Sequence, residues 1–164
     1  MSAATYDAIV TFLETDVRTS VNAEQPDALA VGSVTAARRG LARVPRKDAV
    51  APLSVEIVPV GPWPKRDAGI GEVERDYVFD LKITLRSKAT SDGKAQLNTL
   101  EDAARALVAR YEQVSNLVIA PAGATFRRST AELREVDDVP QSHELARAVV
   151  RAAFTFTEAL AANT

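Results

Sequence analysis

The stretch Glu72-Val73-Glu74-Arg75-Asp76-Tyr77-Val78-Phe79-Asp80-Leu81-Lys82-Ile83-Thr84-Leu85-Arg86-Ser87-Lys88 decides the fold. Val73, Tyr77, Phe79, Leu81, Ile83 and Leu85 share one parity. Asp76, Asp80, Lys82, Thr84 and Arg86 share the other. That is the period of a β-strand with one buried and one wet face. At ~3.3 Å per residue the strand spans about 50 Å, more than one domain's sheet needs. Part of it is therefore expected to project as half of a long hairpin with Leu53–Val60 and the loop between. No residue in the stretch has catalytic character.

Outward from this strand, the preceding residues 61–71 hold three glycines, two prolines and the only tryptophan, Trp63. They read as a long loop, spanning 59–71 with its approach. Two readings of Trp63 stand side by side. It anchors a neighbouring chain, as tryptophan often does at interfaces, or it folds back over the domain's own core. Leu53–Val60 alternates as a short strand that Pro59 ends or holds at an edge. Ser33–Arg43 reads as an irregular strand. Arg38, Arg39, Arg43, Arg46 and Lys47 cluster around its end. They suit a phosphate or acidic partner surface, or more plainly a solvated edge strand on which charge blocks stray pairing.

Helices flank this β-region. Tyr6, Ile9, Val10, Leu13 and Val17 form one stripe over Ala3–Val17, with Ser2 as N-cap. Leu97, Leu100, Ala104, Leu107, Val108 and Tyr111 form another, running to about Val114. A helix following a half-wet strand covers one sheet face. Ala124–Val136 alternates without a clean apolar side, which marks an exposed or edge strand. Residues 144–152 are alanine-rich and read as helix or strand. Ala153-Phe154-Thr155-Phe156-Thr157 has strand composition, and a strand over Ala146–Ala159 antiparallel to Ala124–Val136 is expected. The fold class is α+β: one domain over 1–164, a mixed, mostly antiparallel sheet covered on one face by helices, with a projecting hairpin.

Composition narrows function by exclusion. With no cysteine, thiolate zinc sites, disulfides and thiol nucleophiles are out. A net charge of −2 gives no global basic field for nucleic acid. No apolar run is long enough for a membrane helix. His143 is the only histidine and reads as a loop residue, with no nucleophile placed beside it. The acid pairs Asp137–Asp138 and Glu72–Glu74 read as solubilising residues, not as a metal or acid–base pair. Gly69-Ile70-Gly71 precedes a strand and lacks the lysine of a phosphate loop. No catalytic, metal or cofactor residue is expected, and the chain does not read as an enzyme.

Several strings resemble the tail terminator, or tail-completion, proteins of the neck of tailed bacteriophages. They are Ala36-Ala37-Arg38-Arg39, Leu53-Ser54-Val55-Glu56-Ile57-Val58-Pro59, Arg75 through Ile83, the helix from Leu100-Glu101-Asp102 through Ala109-Arg110-Tyr111, and Ala153-Phe154-Thr155-Phe156-Thr157. The resemblance covers most of the chain from Val34. The chain departs from the pattern in having alanine-rich ends. The resemblance implies a virion protein assembled in the host cytoplasm. It would form a ring, commonly a hexamer, that caps the tail tube and joins it to the head connector. Its partners would be itself, the tail tube protein and the head–tail connector or stopper, with DNA only as the genome passing through the lumen and no membrane. On that basis Trp63 and Arg66 are expected to contact a neighbour. Arg38, Arg39 and Arg43 are expected to face an acidic surface or the lumen. A head–tail connector stopper, or a small cytosolic nucleic-acid- or ligand-binding module, are the alternatives.

Overall fold

A computed structural model describes residues 3–24, 33–36, 53–86, 93–136 and 145–160. The order is α1 (Ala3–Glu24), β1 (Ser33–Ala36), β2 (Leu53–Pro59), β3 (Lys65–Gly69), β4 (Glu72–Arg86), α2 (Gly93–Tyr111), β5 (Ala124–Val136) and β6 (Leu145–Ala159). The strands form one six-stranded sheet in the order β1-β2-β4-β6-β5, and β3 pairs with β4 as well. Only β1 and β2 are parallel; the other pairings are antiparallel. The α+β architecture with helices packed on one sheet face is as the sequence implies.

β4 owes its central place to its two-sided pattern. Val73, Tyr77, Phe79, Leu81 and Ile83 are buried on one face. β6 pairs with β4 along its whole length, from Glu72↔Ala159 to Arg86↔Leu145. The even positions of β6, from Ala148 through Phe156, therefore fall on the same face as the buried residues of β4. Over that face lie Ile9, Leu13, Val17 and Val21 of α1, and Leu100, Ala103, Ala104, Leu107 and Tyr111 of α2, all buried. The stripe read to Val17 continues to Val21, and the helix with it to Glu24.

Residues 144–152, open between helix and strand, form strand from Leu145 onward. The small buried residues Ala148 and Ala152 keep that stretch of sheet low beneath the helices, and both β4 and β5 pair with it. Tertiary pairing overrides alanine's helix propensity here. β5 is an edge strand, as its mixed faces suggest, with bulges at Phe126/Arg128 and Leu133/Glu135. α2 starts at Gly93, a turn before the expected Leu97, and ends at Tyr111 instead of Val114. Gln113 has a left-handed φ of 51°, and Val114 turns away to bridge Ser129 of β5.

The 59–71 loop is corrected. Lys65–Gly69 is a strand, and it, not β2, forms the tight hairpin with the start of β4. β2 pairs farther along, from Pro59↔Phe79 to Leu53↔Leu85. Lys65-Arg66-Asp67 carries no apolar alternation, so no period announces it. The turn itself is legible afterwards: Gly69 and Gly71 have φ of 139° and 76°, conformations that suit glycine. The first half of β4 also lies beside β6, so the hairpin extends the sheet instead of standing free of it.

Candidate interaction surface

The surface is built on the sheet face that no described helix covers. On β4 it presents Glu74, Asp76, Asp80 and Lys82, the wet parity read from the sequence. Register sets their partners. β3 lays Arg66 opposite Glu74. The Arg66 guanidinium donates to both oxygens of Asp76 at 2.8 Å and to Glu74 Oε1 at 2.7 Å. Arg128 of β5 reaches over β6 to donate to the same Glu74 oxygen at 2.8 Å. Thr155 of β6 donates its hydroxyl to Asp76 Oδ1 at 2.7 Å. Farther along, Arg151 clamps both oxygens of Asp80 at 2.9 and 3.1 Å. Four strands are thus stitched by side chains as well as by backbone.

The electrostatics follow from these bonds. The hydrogen bonds it donates to Asp76 and Glu74 raise the Arg66 guanidinium above its ordinary value. The Glu74 carboxyl is held below the usual carboxylate range, chiefly by the Arg66 hydrogen bond; burial pushes it upward, and Arg128 adds to the lowering. For Asp76, burial is the largest single influence and pushes upward. Arg66 and Thr155 together outweigh it and hold the carboxyl low. Glu56 goes the other way: burial raises it despite the nearby charges of Lys82 and Arg147.

On the helix side the same end of the sheet holds a buried polar pair. Tyr77 donates its hydroxyl to Glu158, whose side chain is nearly buried. Arg75 Nε lies 3.4 Å from Glu158 Oε2, an ion pair with no hydrogen bond at that nitrogen. Between the helices, Asp16 accepts two bonds from Arg110 at 2.9 Å and one from the Tyr111 hydroxyl at 2.8 Å.

Trp63 takes the inward of its two readings. Its ring lies 4.9 Å from that of Tyr77, 5.9 Å from Tyr6 and 6.1 Å from Phe79. Its indole N–H donates to the Val78 carbonyl at 3.2 Å, and the Val60 N–H donates to the same oxygen. Arg66 is on the surface, held in the ion-pair network. The two residues lie on opposite faces of the sheet and do not form one patch. Arg38, Arg39 and Arg43, with Arg46 and Lys47, lie outside the described residues, as do His143, Asp137 and Asp138. Of the Glu72–Glu74 pair, Glu74 is committed to arginines. Among the described residues no group of His, Asp and Glu is arranged to hold a metal ion, and no helix is long and apolar enough to cross a membrane.

Sequence reasoning did not find Arg128, Arg151 or the Asp16 clamp. The wet parity of β4, acidic from Glu72 to Asp80 and basic at Lys82 and Arg86, was the available signal. It says that charges need partners but does not name the strand that supplies them. No protein-family model matches the chain, and no curated protein matches it.

Proposed function

We propose that the chain is a non-enzymatic structural protein of a tailed phage. It forms a ring, six subunits in the resemblance that suggests it, which caps the tail tube and joins it to the head connector. The single observation that carries the reading is that the sheet ends differently on its two sides. β5 ends it on one side of β4; on the other, β3 offers an edge beside the start of β4 and β1 lies beyond β2. A subunit with two different edges on opposite sides meets its copies head to tail, and head-to-tail contacts close into rings when the rotation fits. The side-chain stitching across β3, β4, β6 and β5 supports the same reading. It makes a rigid plate whose charged groups are paired with one another, so the surface is shaped more for assembly than for binding a small ligand.

The experiment is reconstitution with the tail tube protein of the same phage. Tubes grown with the chain present are expected to stop short and to carry a ring at one end in negative-stain images. Tubes of unchanged length with bare ends would contradict the reading. Binding to the connector in pull-downs, without binding to the tube, would favour the stopper instead.

A further inference from the structure

Two backbone edges with no described strand paired along them match each other in direction, spacing, face and charge. On β5, the Ser129 N–H points away from β6, because it donates to the Val114 carbonyl at 2.7 Å. Backbone groups alternate along an antiparallel strand, so Ala131 and Leu133 also turn their N–H and C=O outward. No described strand pairs with them there. On β3, the Pro64 carbonyl faces β4, where it accepts from the Asp76 N–H at 3.0 Å. The same alternation turns the backbone of Lys65 and Asp67 outward. Each edge thus offers two outward residues separated by one inward residue.

Direction also agrees. β5 is antiparallel to β6 and β6 to β4, so β5 runs with β4, while β3 runs against it. If a second copy continues the sheet in the same orientation, its β3 meets β5 antiparallel. Full overlap of the outward residues then sets Lys65 opposite Leu133 and Asp67 opposite Ala131. Between them Arg66 falls opposite Glu132. Arg66 lies on the uncovered sheet face with Glu74, and Glu132 lies on that face opposite Arg151. Oppositely charged residues directly across an antiparallel pair are stabilising. Glu132 is exposed, and its one hydrogen-bonded ion pair is to its near neighbour Arg134. Leu133, one of the few exposed large apolar residues, would be partly covered.

We infer that β3 of one subunit adds to the β5 edge of the next, with Lys65↔Leu133, Arg66↔Glu132 and Asp67↔Ala131 as the register. This rests on the ring reading and supplies its contact. The bulges flanking residues 129–133 on β5 keep the open stretch short, which favours a partner as short as β3 over an arbitrary long strand.

The chain has no cysteine, so a disulfide reports the contact cleanly. Hydrogen-bonded antiparallel partners lie at Cα separations of about 5.5 Å, within disulfide reach. The double variant Lys65→Cys/Leu133→Cys, oxidised at the concentration where the parent assembles, is expected to give a non-reducing ladder ending at the ring size. Neither single variant should cross-link. In parallel, Ala131→Pro removes an N–H that no described strand of the chain's own sheet uses. It is expected to leave circular dichroism unchanged and to shift the oligomer to monomer. An oligomer of the parent that gives no ladder and survives Ala131→Pro would overturn this interface while leaving the ring reading intact. A parent that stays monomeric at every concentration would overturn both.

Discussion

Trp63 and Asp16 show how single side chains hold this fold. Trp63 is half-buried against Tyr6, Tyr77 and Phe79 and closes the connection between β2 and β3. Truncating a fully buried tryptophan costs roughly 3–5 kcal/mol, so Trp63→Ala is expected to cost about 2 kcal/mol in urea unfolding. If the ring reading holds, assembly at a temperature where the variant remains folded should be little changed, because the ring is turned inward. Phe79 lies deeper, against Trp63, Tyr6 and Phe154, and is fully buried. Phe79→Ala is expected to cost ~3–5 kcal/mol by the same measurement. Asp16 ties the helices together. Burial, more than the neighbouring Asp16 charge, pushes the Tyr111 hydroxyl above its ordinary range, so it stays neutral and donates. Asp16→Ala leaves that buried hydroxyl without its acceptor and is expected to cost about 1–3 kcal/mol. The sequence showed Asp16 only as a residue off the apolar stripe. Its partner Arg110 is on another helix, and one sequence carries no signal for such pairing.

At the scale of elements, the hairpin β3–β4 is fastened by carboxylates whose folded values lie below their unfolded ones. Such groups contribute stability above the unfolded value and lose it as pH falls through the folded value. Glu74 and Asp76 therefore stabilise the hairpin at neutral pH and release it in acid, below about pH 4. Glu56, raised by burial, has the opposite sign: protonation relieves its cost, and it partly offsets the loss. Protection against hydrogen exchange at Lys65–Glu74, taken relative to the intrinsic rate at each pH, is expected to fall in acid before that of the β6 amides. Arg66→Gln should make that region's exchange already fast at neutral pH and less sensitive to acid. Equal acid sensitivity in the parent and Arg66→Gln would show that Arg66 does not set it. The elements themselves were legible in proportion to their periodicity. β4 and α1 announced themselves by regular burial. β3 did not, because Lys65, Arg66 and Asp67 are all exposed and the strand exists only through its pairing to β4. β6 was half legible. Its Phe154-Thr155-Phe156 core reads as strand, whereas alanine-rich 144–152 reads as helix or strand until β4 is set beside it.

For the whole molecule, the sequence reached the layer arrangement, one sheet face under two helices, from the amphipathic stripes alone. The antiparallel pairing of β6 with β5 was within its reach; the full strand order was not. Setting β6 beside β4 depends on register over residues more than fifty positions apart, and nothing local encodes it. The same holds for the uncovered face. Its charges were visible as a wet parity, whereas their pairing into a plate across four strands was not. In the proposed function this plate, with one edge at β3 and another at β5, is a ring subunit. Native mass measurement of the purified chain across a concentration series tests it most directly. A closed oligomer of fixed size, six subunits in the proposed reading, is the predicted result. A monomer throughout, or a series of ever-larger open species with no preferred size, would contradict it.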